Sequence, residues 1–291
     1  MKPSNLKTKV FLDSGDPKET KELLEILGFL DGQTTNPSLV AKNPEAVARL
    51  ERGEKFSEEE IYTFYQGVVK EISDLIPEGS VSIEVYADAE TKAETMLEQA
   101  KGFFQWIPNA HIKYPTTAEG LKAAEQSIKE GMRVNMTLVF DQEQAAAVYT
   151  ATKGAHKGDV FVSPFVGRLD DRGENGMELI QNIQKMYQNG GDGHVEVLVA
   201  SVRNMDHLME SIRIGADIIT APFKLWKEWA EKGMPVEITN FKYQIPNAKP
   251  ITYSEIGLDK AWTEYNSQHD LTDSGIKKFA EDWNKLINKK P

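Results

Sequence analysis

One lysine stands among apolar neighbours in a short β-rich run, His111-Ile112-Lys113-Tyr114-Pro115. Alternate side chains of a strand share a face, so if Ile112 and Tyr114 turn toward packed helices, Lys113 turns the other way. The same parity sets Val81, Ile83 and Val85 against Ser82 and Glu84, and Val134, Met136 and Leu138 against Asn135 and Thr137. Asp13 and Ser163 close two further runs of this kind. A lone inward lysine is equally well explained as half of a structural ion pair. A lysine converging with two carboxylates and several hydroxyls is different, because buried polar groups are costly and a core does not collect them by accident. The chemistry follows from the amine. Desolvation favours the neutral form of an amino group, and a neutral amine attacks a ketone to give a carbinolamine and then an iminium. Carboxylates and hydroxyls can move the protons this needs, and the iminium then accepts electrons from a breaking C–C bond.

Something must bring those strand ends together. Short β-rich segments alternate with amphipathic ones, as in a parallel sheet with crossover helices. Eight strands are predicted near Val10–Asp13, Gly32–Asn36, Val81–Tyr86, Ile112–Pro115, Arg133–Leu138, Val160–Ser163, Val195–Ser201 and Asp217–Thr220. Helical patterns cover Thr91–Phe104, Ala118–Glu130, Gln142–Lys153, Gly176–Gln188 and Asn204–Ile214. The expected fold is α/β, a (β/α)8 TIM barrel with additional C-terminal helices, and a doubly wound open sheet is the alternative. Barrels of this type keep their active sites at the carboxyl ends of the strands, where these polar residues fall. Residues 1–291 are read as one domain, with a charged helical insertion at Pro44–Glu78 and a helical extension over 223–291 that includes Lys224–Lys232 and Ser274–Asn288.

Composition narrows the function. The chain has 291 residues and a formal net charge of −11, which argues against nucleic acid and anionic membrane as partners. It has no cysteine, which removes thiolate nucleophiles and thiolate metal sites and fits a reducing cytoplasm. No stretch reads as a signal peptide or a membrane span, so a soluble cytoplasmic protein is expected.

Six motifs then carry a family resemblance. Phe11-Leu12-Asp13-Ser14-Gly15-Asp16, Thr34-Thr35-Asn36-Pro37-Ser38, Ile112-Lys113-Tyr114-Pro115-Thr116-Thr117, Asn135-Met136-Thr137-Leu138, Ser163-Pro164-Phe165-Val166-Gly167-Arg168 and Ala200-Ser201-Val202-Arg203-Asn204 occur in order. Together they resemble the transaldolases, a Schiff-base-forming group that includes the fructose 6-phosphate aldolases, with similarity again near Gly275–Trp283. The resemblance implies that Lys113 forms the imine, Asp13 is the acid/base for C–C cleavage, and Glu84 and Thr137 hold a catalytic water. It further implies that Asn36, Asn135 and Ser163 bind the donor hydroxyls, while Arg168, Arg203 and Ser201 bind a phosphate, for which arginine forks are well shaped. No cofactor or metal is expected. The expected partners are sugar phosphates and a second copy of the chain, as a homodimer.

Two positions bear on the reaction type. The resembling aldolases have Gln where this chain has Glu84 and Tyr where it has Phe165, so the resemblance favours the transferase. The expected exchange is between sedoheptulose 7-phosphate with glyceraldehyde 3-phosphate and erythrose 4-phosphate with fructose 6-phosphate, in the pentose phosphate pathway. The alternatives are acceptor-free cleavage of fructose 6-phosphate, transfer from a modified ketose such as a sulfonated sugar, and a sugar-phosphate binder without catalysis. Other signals are set aside. Five histidines, at 111, 156, 194, 207 and 269, lack ligand spacing, and His207 with Glu210 reads as a surface pair. Asn189–Gly193 reads as a turn before a strand, and Trp226 and Trp229 as packing residues.

Overall fold

The computed structural model describes residues 1–237, 241 and 243–288. Among them, eight parallel strands close into a barrel in chain order, from β1 to β8 and back to β1. They are β1 (Lys9–Asp13), β2 (Gly32–Thr34), β3 (Ser80–Glu84), β4 (Ala110–Pro115), β5 (Val134–Val139), β6 (Val160–Pro164), β7 (Val195–Val199) and β8 (Ile218–Ala221). The barrel was expected, and the open sheet is excluded. The strand runs drawn to Asn36, Tyr86 and Ser201 are too long, because those residues lie past the last ladder pairs and belong to the loops that carry the site. β4 and β5 are buried along their whole lengths, as expected for strands packed on both sides.

The helices are α1 (Pro17–Leu27), α2 (Pro37–Ala41), α3 (Pro44–Glu51), α4 (Glu58–Leu75), α5 (Ala93–Phe104), α6 (Ala118–Lys129), α7 (Gln142–Ala151), α8 (Val166–Asp171), α9 (Gly176–Gly190), α10 (Met205–Arg213), α11 (Phe223–Glu231) and α12 (Asp270–Leu286). The sequence insertion is thus α3 and α4. At the start of α4, Ser57 Oγ accepts the Glu60 N–H and Glu60 returns the bond to the Ser57 N–H, a reciprocal cap. Trp226 and Trp229 are fully buried, and the Trp226 indole donates to the Phe11 carbonyl at 2.8 Å, pinning α11 against β1. The C-terminal extension does not form a separate layer. It crosses the barrel mouth as α12, whose end forms a bridge between Ile287 and Phe56 in the α3–α4 loop. Insertion and extension therefore meet over one side of the strand ends.

The barrel interior is layered. Low in the barrel, Lys9 pairs with Glu196 at 2.9 Å and Ser80 bonds His111 at 2.7 Å. In the same region His111 stacks on Phe161, and Phe11 meets Phe161 edge to face. Burial drives the His111 pKa down to about 3, so its imidazole is neutral filler. This apolar plug gives the polar layer above it a floor. Among the described residues, no helix is long and apolar enough to cross a membrane.

Candidate active site

The polar residues singled out by strand parity come together at the carboxyl end of the barrel. Strand register sets Glu84 beside Lys113, Lys113 beside Asn135, Thr137 beside Ser163, and Asp13 beside Thr34. Lys113 Nζ lies 3.0 Å from Glu84 Oε2, and both side chains are buried. It also donates to the Thr35 carbonyl at 3.4 Å. Burial raises the Glu84 carboxyl above its ordinary range, with the Lys113 charge opposing. Burial likewise raises Asp13, against Lys113, a hydrogen bond from Thr34 and Lys42. One ammonium thus faces two carboxylates, each dearer to ionise than in water.

Two buried oxygens in this layer, Glu84 Oε2 and Thr137 Oγ1, make no hydrogen bond in the protein. Nearly all buried polar atoms find a partner, so both are suited to holding a small polar molecule beside the amine. Thr137 sits at an irregularity. The β5–β6 register shifts between Thr137 and Val139, and Leu138 has φ 61°, a left-handed conformation that a branched side chain rarely adopts. Thr116 fixes the bulge by donating its N–H and its hydroxyl to the Thr137 carbonyl, both at 2.9 Å.

The pocket above these residues has a volume of about 570 Å³, of the size that holds a small metabolite. Asp13, Asn36, Lys113, Ser163, Phe165 and Arg168 line it, and Ser201 and Arg203 complete one end. Asn36 caps α2 by accepting the Leu39 N–H at 2.9 Å, which leaves its amide nitrogen to donate. Asn135 is buried behind the wall, accepts from Ser163 at 2.6 Å and donates to Ser82 at 3.0 Å. It orients Ser163 rather than facing the pocket. Glu84 and Thr137 also lie behind the lining. Arg168 lies over the rings of Phe165 and Phe279, and Arg203 pairs with exposed Asp171.

Several site residues escaped the sequence reading. Thr34 donates to Asp13 at 2.7 Å and bonds Thr220 at 2.6 Å; strand parity could have found both. Tyr65 of α4 could not be found that way. Its hydroxyl accepts the Glu84 N–H at 3.0 Å and bonds Thr35 Oγ1 at 2.6 Å, while Thr35 donates to the Ser82 carbonyl at 2.7 Å. Lys42, Lys278, Asp282 and Lys285 also line the pocket. Asp282 accepts from Ser38 at 2.5 Å, Lys278 at 2.7 Å and Lys285 at 3.1 Å. The pair His207 and Glu210 is not superficial, since both are buried. Among the described residues no group of potential ligands could hold a metal. The glycine-rich stretch at 189–193 ends α9 and turns into β7.

Fold and site together define an α/β barrel with a buried lysine, two carboxylates and an arginine-lined pocket at its strand ends. The family model described as transaldolase/fructose-6-phosphate aldolase matches residues 10–290. A probable transaldolase of Geobacter sp. (strain M21) is 36% identical over 278 residues, covering 96% of this chain and 99% of the relative. A probable transaldolase of Dehalococcoides mccartyi is 37% identical over 275 residues, covering 94% and 97%. One of Brucella ovis is 36% identical over 281 residues, covering 97% and 99%. The chain belongs to the transaldolase/fructose-6-phosphate aldolase family.

Proposed function

We propose that this protein is a transaldolase that moves a dihydroxyacetone unit from a ketose phosphate to an aldose phosphate through an imine on Lys113. The observation that carries the reading is the buried Lys113–Glu84 contact at 3.0 Å, set beneath a pocket whose lining includes both Asp13 and the arginines. A purely structural ion pair has no need of an opening onto a sugar-sized cavity.

Lys113 passes its ammonium proton to the Glu84 carboxylate, and the neutral amine then adds to the C2 carbonyl of the donor. The carbinolamine expels water as an iminium forms, with Glu84 and Thr137 holding the water that carries the protons. Asp13, as carboxylate, takes the proton from the C4 hydroxyl. The C3–C4 bond breaks, its electron pair moves to the iminium, and an aldose leaves while an enamine stays on Lys113. The enamine carbon then attacks the aldehyde of the acceptor, Asp13 returns its proton to the new alkoxide, and water releases the ketose. Asn36 and Ser163, the latter oriented by Asn135, bind donor hydroxyls. Arg168, Arg203 and Ser201 bind the phosphate, and charge-assisted bonds of this kind are the strong ones.

Phe165 favours transfer over simple cleavage. It is buried in the pocket wall against Phe140 and has no hydroxyl with which to help protonate the enamine. The expected substrates are sedoheptulose 7-phosphate or fructose 6-phosphate as donor, and glyceraldehyde 3-phosphate or erythrose 4-phosphate as acceptor. Borohydride reduction in the presence of fructose 6-phosphate tests the mechanism by fixing the sugar fragment to Lys113, identified by peptide mass; no adduct at that residue sinks it. Product release with and without erythrose 4-phosphate separates transferase from lyase, and rapid acceptor-free formation of dihydroxyacetone favours the lyase.

A further inference from the structure

The arginine end of the pocket rests on a support that the proposed chemistry does not use. Arg203 sits in the loop between β7 and α10, where Ser201 has φ 58°. A side chain makes that left-handed backbone costly, and it persists only where neighbours over-determine it. From one side, the Val166 N–H bonds the Ala200 carbonyl at 3.1 Å and the Gly167 N–H bonds the Ser201 carbonyl at 3.2 Å. From the other, the Arg203 N–H donates to His207 Nδ1 at 3.3 Å.

A ring nitrogen that accepts carries no proton, so the imidazole proton of His207 belongs on Nε2. That nitrogen faces Asp170 Oδ2 at 2.5 Å. Asp170 stands on α8, the helix that carries Arg168. It is itself held, since Oδ1 accepts the Gly176 N–H at 3.0 Å and Oδ2 also accepts the Tyr243 hydroxyl at 3.0 Å. The His207 side chain is 3% exposed, so one end of a buried ring touches the backbone of one arginine and the other end touches the helix of the second. An apolar residue could fill the space without making either bond.

We propose that His207 is a positioning residue, which with Asp170 locks the strained Arg203 loop to α8 and so fixes the separation of the two guanidinium groups for a phosphate ester. The inference rests on the anion-binding role given above to Arg168 and Arg203. Fork-to-oxygen recognition depends on geometry, and a supporting bond of this kind is read out as affinity rather than as chemistry.

The test compares wild type with His207→Gln in three measurements: calorimetric binding of inorganic phosphate, steady-state kinetics with fructose 6-phosphate, and borohydride trapping of unphosphorylated dihydroxyacetone. Phosphate affinity should fall and KM rise by roughly 10-fold to 100-fold, as when the partners that orient metal ligands are lost, while kcat and the trapping rate stay near wild type. Equal phosphate binding by variant and wild type overturns the proposal. So does a parallel loss in all three measurements with lowered thermal stability, or an absence of phosphate binding by the wild type. If His207→Gln does not fold, Tyr243→Phe removes a single hydroxyl from the same Asp170 oxygen. A measurable weakening of phosphate binding is expected there, and unchanged binding overturns the proposal. The transaldolase reading fails by a different sign, the absence of any Lys113 adduct in the wild type, and the phosphate measurements remain decisive for His207 in that case.

Discussion

Lys113 Nζ and Glu84 Oε2 stand 3.0 Å apart, yet that carboxylate oxygen accepts no well-directed hydrogen bond. The contact is charged but poorly aligned as a hydrogen bond, and it leaves part of the oxygen's bonding capacity unspent beside the amine. Burial pushes Glu84 up and Lys113 is the main influence holding it down. The Lys113 charge therefore favours the ionised form of Glu84, and the pair is poised for proton traffic rather than closed upon itself.

Lys113→Met should abolish the borohydride adduct and change how stability depends on pH. Without the ammonium, the folded-state pKa of Glu84 climbs further above its ordinary 4.5. The folded state then holds a proton that the unfolded state has released, so stability is greatest at low pH and declines as pH rises through the raised folded value. At neutral pH the loss should be about 3 kcal/mol, as for other broken buried pairs. Lys113→Met/Glu84→Gln should recover most of it. Denaturant melts across pH decide the matter, and a flat profile for the single variant contradicts the account.

Asp13→Asn should lower turnover by roughly 10²–10⁴-fold, the range for a lost general base. Burial raises Asp13 above its ordinary 3.8, and a base works only when ionised. The acid limb of kcat/KM should therefore lie above that value, with activity falling as the carboxyl protonates. Thr34→Val removes a hydrogen bond that favours the ionised form, so it should move the limb to higher pH. A limb unmoved in Thr34→Val argues that another group sets it.

Phe165→Tyr should shift the balance toward cleavage. A hydroxyl at the pocket wall offers a route for proton delivery to the enamine, and acceptor-free release of dihydroxyacetone should rise by roughly 100-fold, the lower end of acid–base effects. Release assayed without erythrose 4-phosphate checks this, and an unchanged ratio of cleavage to transfer removes Phe165 from the account of specificity.

Arg168→Lys keeps the charge but loses the planar fork and its stacking on Phe165 and Phe279. KM for fructose 6-phosphate should rise by about tenfold, corresponding to ~1.4 kcal/mol, while trapping of unphosphorylated dihydroxyacetone proceeds as before. Equal loss on both substrates would show that Arg168 serves the whole barrel mouth.

Gly275→Ala should disturb the same arginine from behind. A β-carbon at Gly275 would come within 2.6 Å of both Arg168 Nη1 and Leu138 Cδ2. Overpacking of this kind costs about 1–3 kcal/mol, and here it should appear both as a lower melting temperature and as a higher KM for phosphorylated donors. Wild-type values in both assays would mean that α12 shifts without consequence.

The barrel was legible because short β-rich segments alternate with helical ones, and within several strands the alternation of side chains also names inward residues. Glu84, Lys113 and Thr137 were found by parity, and Asp13 and Ser163 by their places at strand ends, each aligned on a neighbouring strand once the sheet closes. Parity could not distinguish Asn135, which props Ser163, from residues that face the pocket. It was also silent on Tyr65, whose hydroxyl reaches the Glu84 backbone from the inserted helix α4, and on Lys278 and Asp282 of α12. Those placements depend on where long connections pack, which local spacing does not encode. His207 was misread for a related reason: helical spacing shows which residues share a face, not what covers it.

The Ser38–Asp282 bond joins residues 244 positions apart, and it ties α2, just past the second strand, to the last described helix. Synthesis runs from one to the other, and such long-range contacts close late in folding. When all eight strands have been made, one wall of the cavity and the helix lying against Arg168 are still to come. A nascent chain thus carries its lysine and both carboxylates well before it has a vessel in which sugar chemistry can be done.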